Sequence, residues 1–299
     1  MKNSYLSDAF FSRLETLSLN LRSNLSGYFG GKHLVSTYGQ TVEFADFREY
    51  QLGDDIRRID WNLYSRFEKY FLKLFTDERQ MQVQIFIDCS ASMGKDNPQK
   101  AAYSVGTAAA LGFLAVQDMD KVTFNIMKGA RAENPFGTII GKKAFFRAIS
   151  SLEEFSYDED ADIEECVKSC PDTSTSNGLT IIVSDFFTES NWKKAVDYLL
   201  YKRRQVLLVQ IMTPDEEDPA YDGRVNLIDS ESVDISDSKN IKIRITRSMQ
   251  EAYAETIAEF KKDMHDFCVK RGVDCVFIRT DAPLEKVLFG ELLKVGIME

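Results

Sequence analysis

The sequence has little of the raw material from which most hydrolytic and zinc chemistry is built. Its 299 residues include only two histidines, His33 and His265, so catalytic triads and His-based zinc hydrolase motifs have nothing to assemble from. The five cysteines, at 89, 166, 170, 268 and 275, are odd in number and contain no C-x-x-C pair. That pattern excludes a disulfide framework or zinc ribbon and reads as free thiols. Cys166 and Cys170 stand one helical turn apart in IEECVKSC, but no second pair completes a zinc set, so helix packing is the expectation. Basic charge is also short: 37 Lys and Arg against 47 Asp and Glu give a net charge of -10 and a pI near 5.0. Broad nucleic-acid binding, which needs basic surface to displace counterions, is excluded. No apolar run approaches the roughly eighteen residues of a membrane span. The opening MKNSYLSDAFFSRLETL carries no apolar stretch leading to a small-residue cleavage site. Direct membrane insertion is therefore not expected, and the cytoplasm is the expected compartment.

What the chain does have is apolar material: 44% hydrophobic and 12% aromatic residues, enough for a substantial core. Phe10, Leu14, Leu17, Leu21 and Leu25 recur at helical spacing and predict one amphipathic helix. The Gly-rich GYFGGKH is not a phosphate loop, because Ser26 stands where a glycine is required and His33 where Ser or Thr would bind magnesium. A polar and aromatic segment, EFADFREYQLGDDIRRIDW, follows, and Tyr70 to Phe75 alternates as a strand does. From residue 82 strands and helices take turns. Strands are predicted at 83–87, 122–127, 179–183, 206–212 and 275–278. Helices are predicted after Asn97-Pro98, which supplies a cap and a first-turn proline, and over 142–152, 163–170, 190–201 and 249–270, with a last one after Pro283. A hairpin is expected around 225–246. The alternation implies an α/β fold, Rossmann-like, with a mainly parallel sheet covered by helices on both faces. An N-terminal α+β region over 1–80 precedes this domain over 81–299.

The chemistry concentrates in VQIFIDCSASMG, residues 83–94. A strand-like apolar run breaks there into Asp88, Ser90 and Ser92, a D-x-S-x-S string at a strand's carboxyl end, where open α/β sheets bind ligands. A second run, Leu179 to Val183, breaks the same way into Ser184 and Asp185. Two hydroxyls backed by carboxylates suit Mg²⁺ or Mn²⁺, which take hard oxygen ligands in an octahedron. The competing explanation is helix capping, for which serine after a strand is common. The candidate ligands are Asp88, Ser90, Ser92 and Asp185.

These residues resemble the metal-ion-dependent adhesion site (MIDAS) of von Willebrand factor A-like domains. Together with EFADFREYQLGDDIRRIDW, IIVSDFF and the closing CVKRGVDCVFIRTDAPL, they are similar, in that order, to the bacterial family catalogued as domain of unknown function 58. The densest signature is Gly53, Asp54, Asp55, Arg57, Ile59, Asp60 and Trp61. The resemblance implies a von Willebrand A-like domain behind a family-specific N-terminal region, in proteins that look like partners of MoxR-type AAA+ ATPases. The chain departs from the adhesion-site pattern at one place: ADIEECV puts Ala161, whose methyl cannot ligate magnesium, where a threonine usually supplies the third hydroxyl. The expected function is a non-enzymatic, metal-dependent interaction module that joins a protein client to such an ATPase. Two alternatives are a metal-free structural adaptor and a phosphohydrolase of haloacid dehalogenase type. The latter needs an acid two residues after Asp88, where Ser90 stands. The acidic run Asp158, Glu159, Asp160 and Asp162 reads as a solvated loop. The charges Arg48, Asp54, Asp55, Arg57, Arg58 and Asp60 read as an internal network that locks the N-terminal region onto the A-like domain, with a partner surface as the alternative.

Overall fold

The computed structural model describes residues 4–17, 42–51, 54, 56–77, 80–95, 97–152, 155–157, 159–171, 178–188, 190–219, 223–227 and 241–297. Leu21, Leu25, the GYFGGKH segment, Gly53, Asp55 and Asp158 lie outside these residues. The chain divides into two units, Gly30–Gln80 and the remainder, Met1–Phe29 with Met81–Glu299. The first residues, expected to belong with the N-terminal region, go with the larger unit instead. The reason is burial: a helix over 8–17, α1, sinks Phe10, Phe11 and Leu14 into that unit's core. There Phe11 packs its ring 5.1 Å from that of Phe113.

In the smaller unit β1 (Val42–Glu49) and β2 (Phe71–Asp77) form an antiparallel pair, with α2 (Trp61–Phe67) between them in sequence. Asp60 starts α2 by accepting the backbone N–H groups of Asn62 and Leu63, the ordinary service of an N-cap carboxylate. Arg48 donates to Asp54 at 2.9 Å, and Asp54 also accepts the Gln51 N–H. Within the mixed-charge segment, Arg48 and Asp54 thus pair inside their own unit, and Asp60 serves as a helix cap.

The larger unit runs β3 (Gln82–Asp88), α3 (Ala91–Gly94), α4 (Pro98–Gln117), β4 (Lys121–Lys128), β5 (Arg131–Glu133), β6 (Ile139–Ile140), α5 (Lys142–Ile149), α6 (Ile163–Ser169) and β7 (Gly178–Ser184). It continues with α7 (Trp192–Tyr201), β8 (Gln205–Met212), α8 (Pro214–Glu217), the hairpin β9 (Gly223–Leu227) and β10 (Ile241–Ile245), α9 (Arg247–Arg271), β11 (Asp274–Arg279) and α10 (Leu284–Ile297). The sheet order is β11-β8-β7-β3-β4-β5, with β6 also on β4; pairings from β11 through β4 are parallel, and only β5 and β6 are antiparallel.

Alternation along the buried strands builds two cores. Val83, Ile85 and Ile87 of β3 face the same cluster as residues of α1, α4, α5 and α10, whereas Phe86 joins residues of α6, α7 and α9 on the other face. Parallel strands covered on both sides are apolar throughout, and β7 is buried at every residue. β3 is followed in the chain by β4 on one side, while β7, which comes later, lies on its other side. The direction of winding reverses between β3 and β7, and in such sheets the crevice outside the carboxyl ends of those two strands is the ligand-binding position.

Candidate metal and docking site at the carboxyl ends of β3 and β7

Asp88 is the last residue of β3 and Asp185 directly follows β7, so the two carboxylates emerge side by side at the reversal point; both are 2% exposed. Asp88 accepts the backbone N–H and the hydroxyl of Ser90 on one side and the Ser184 hydroxyl on the other. Burial pushes its carboxyl up to about 6 and the nearby Asp185 charge pushes the same way, while the bonds from Ser184 and Ser90 pull back. A buried carboxylate whose proton affinity is raised by burial and by the charge of a neighbouring carboxylate marks a place that attracts a cation.

Ser90 occupies the N-cap position of α3 with extended backbone, as the capping explanation requires, yet its hydroxyl accepts nothing from that helix. It stands 3.2 Å from the Ser92 hydroxyl instead. Adjacent ligands in a magnesium octahedron with bonds of about 2.1 Å are separated by about 3.0 Å, so this spacing suits two neighbouring coordination positions. Gly94 keeps the turn close to the body: an added Cβ would fall 2.5 Å from the ring of Tyr157.

The loop before α6 is tied to the same strand ends. The Glu159 carbonyl accepts the Ala91 N–H at 3.0 Å, the Asp160 carbonyl accepts the Gly129 N–H at 2.8 Å, and the Asp162 N–H donates to the Gly129 carbonyl at 2.8 Å. Asp162 caps α6. The described part of the acidic run, Glu159 to Asp162, is therefore a pinned backbone with exposed Glu159 and Asp160 side chains, not simply a solvated loop. Ala161 is 1% exposed and brings a methyl, as its sequence position implied.

Two residues absent from the sequence-based set complete the site. Lys100, in the first turn of α4, is fully buried and donates to Asp185 Oδ2 at 2.8 Å and to Glu216 Oε1 at 2.6 Å. Burial alone would lower its proton affinity, but the charges of Asp185 and Glu216 outweigh that and hold the ammonium above the usual lysine range. Glu216 is positioned by a capping box at the end of a third strand: its carboxylate accepts the Thr213 N–H, and the Thr213 hydroxyl accepts the Glu216 N–H. The T-x-x-E string from Thr213 to Glu216 is a capping-box pattern that could have announced this helix start, and the sequence reading passed over it. The cation in the first turn of α4, where the helix dipole disfavours positive charge, was the signal for Lys100.

Among the described residues no three His, Cys, Asp or Glu side chains form a ligand cluster, so any ion here depends on the serine hydroxyls. The donor set fits a hard divalent ion on that basis. Ser90 and Ser92 would hold it, with Asp88 and Asp185 behind them, and the one buried ammonium, Lys100, is shared between Asp185 and Glu216. All five cysteines are free thiols, with Cys166 and Cys170 buried in the core against α7. Among the described residues no helix is long and apolar enough to cross a membrane.

Comparison with known proteins places the chain among bacterial relatives. The family model described as "Protein of unknown function DUF58" matches residues 46–262. "Uncharacterized protein Rv1480" of Mycobacterium tuberculosis is 25% identical over 273 residues, covering 90% of this chain and 84% of the relative. "Uncharacterized protein Mb1516" of Mycobacterium bovis matches with the same figures. Among solved structures, BatB from Bacteroides thetaiotaomicron aligns with TM-score 0.41 and 17% identity, over 73% of this chain and all of that one. A von Willebrand factor type A protein from Catenulispora acidiphila aligns with TM-score 0.35 and 14% identity, over 46% of this chain and 34% of that one.

Proposed function

The chain belongs to the DUF58 family, and we propose that it is a non-enzymatic protein-interaction module whose docking point is the cation site at the ends of β3 and β7. The observation that carries this reading is the pair of serine hydroxyls 3.2 Å apart, neither of them spent on capping, above buried carboxylates that outnumber the nearby ammonium. Mg²⁺ or Mn²⁺ bound to Ser90 and Ser92 would supply an underneutralised positive charge with an open coordination position, the natural receptor for a carboxylate of a partner. This chain's own part is to hold the hydroxyls at strand ends, to keep Asp88 ready through Ser184 and Ser90, and to exclude water beneath them.

The partner we propose is a MoxR-type AAA+ ATPase together with its protein client, as the family resemblance implies, with the cytoplasm as the compartment. The net charge of -10 repels an acidic partner at long range, so local positive charge at the site decides whether the contact forms. The test is co-purification with a MoxR-type ATPase. The complex is expected in Mg²⁺ and lost with EDTA or with Ser90→Ala plus Ser92→Ala. A second reading, a metal-free adaptor, draws on Ala161 and on the ammonium already held by Asp185. A complex that persists through chelation and through the double substitution selects that reading and overturns the first.

A further inference from the structure

We propose that Lys100 is a resident cation that competes with a divalent ion for Asp185 and so sets how tightly this site binds metal. The inference rests on the metal-site reading above and adds to it the residue that opposes the ion. Three observations carry it.

The first is where Lys100 stands. It is the third residue of α4, a helix whose next sixteen positions are otherwise almost wholly buried and uncharged. A cation there gains nothing from the helix, because the first turn carries the positive end of the dipole. Its place is accounted for only by what its ammonium reaches.

The second is how completely that ammonium is used. Its Nζ lies 2.8 Å from Asp185 Oδ2, 2.6 Å from Glu216 Oε1 and 3.3 Å from the Ser92 carbonyl oxygen. These are three acceptors for three N–H donors. The Ser92 contact puts the ammonium directly behind a residue whose hydroxyl is a candidate ligand. Asp185 is fixed from both sides, since its Oδ1 accepts the Phe187 N–H at 2.9 Å. Lys100 holds Oδ2, the Asp185 oxygen that the backbone leaves open.

The third is the second carboxylate. Glu216 is partly exposed, with 31% of its side chain accessible, and it belongs to a different strand end from Asp185. It gives the ammonium an alternative partner when Asp185 turns to a metal. Ammonium and metal are like charges competing for one carboxylate in a water-poor site, where their mutual repulsion is poorly screened.

The competition makes opposite demands on two variants. Lys100→Met removes the competitor and is expected to bind Mn²⁺ at least about tenfold more tightly than the parent. Glu216→Gln keeps an oxygen that can accept the Thr213 N–H but takes away the charge that draws the ammonium off Asp185, so it is expected to bind Mn²⁺ more weakly. Both are measured on the full chain by Mn²⁺ titration with electron paramagnetic resonance, with circular dichroism confirming the fold. A lysine that only fills space would leave the affinity unmoved. Folded Lys100→Met that binds as the parent does, or more weakly, overturns the proposal. Should Lys100→Met fail to fold without metal, Glu216→Gln decides: unchanged or tighter binding overturns the proposal. Absence of binding in the parent and both variants overturns the metal site itself, and this inference with it.

Discussion

Two ion pairs of nearly equal length sit in the two units of this molecule and have very different consequences. Arg48 meets Asp54 at 2.9 Å with 41% and 24% of the two side chains exposed, while Lys100 meets Asp185 at 2.8 Å with 0% and 3% exposed. Water can replace either partner of the first pair, so the pair fixes a local turn and little more. Water cannot do the same for the second, because taking one partner away leaves a charge stranded in a dry site. Distance tells the two apart hardly at all. Burial separates a structural detail in the smaller unit from the element that controls the site in the larger one.

The largest expected effect follows from that contrast. In EDTA, Lys100→Met should cost about 3–5 kcal/mol of stability, the range for breaking one side of a buried pair, read by urea denaturation. Mg²⁺ should restore part of the loss, because another cation then faces Asp185. A cost under about 1 kcal/mol would erase the distinction between the two pairs.

Asp120 sharpens the comparison as a buried carboxylate with no ion-pair partner among the described residues. One of its oxygens accepts the Met81 N–H at 2.8 Å, and the other has no hydrogen-bond partner among the described residues. Burial pushes its carboxyl up to about 6, against the Met81 bond and with the help of Asp118. The unfolded chain releases this proton near pH 4, so between about 4 and 6 the folded state holds more protons, and stability falls as pH rises through that window. The loss amounts to at most about 3 kcal/mol for a shift of this size. Asp120→Asn should flatten this part of the stability profile, and an unchanged slope would show that Asp120 is not its source. The smallest effect belongs to the exposed pair: Arg48→Met should change stability by no more than about 1 kcal/mol, and a larger loss would mean that the pair does more than brace its turn.

The sequence was most readable where burial is complete. The runs at 83–87 and 179–183 could only be central strands, and with them came Asp88, Ser90, Ser92 and Asp185, since strand ends are where apolar patterns stop. Asn97 and Pro98 announced α4 by their cap chemistry. β1 was not legible. Its pairing with β2 shifts register between Phe44 and Asp46, which breaks the alternation that identifies a strand, and the charged residues 43, 46, 48 and 49 hid the rest. α2 was missed because Asp60 was read as part of a charge network, when its carboxylate caps a helix. The meeting of Lys100 and Glu216 was out of reach for another reason. Their shared contact joins residues 116 apart in sequence, and only the packing of α4 against the strand ends brings them to one point.

The central claim is that two serine hydroxyls just after β3, backed by carboxylates at the ends of β3 and β7, hold a divalent ion. Calorimetric titration of the full chain with Mg²⁺ tests it most directly. One site per chain is expected in the parent, absent in Ser90→Ala plus Ser92→Ala while the fold is retained. Equal binding by the parent and the folded double variant would contradict the account, and so would a parent that binds no Mg²⁺ at all.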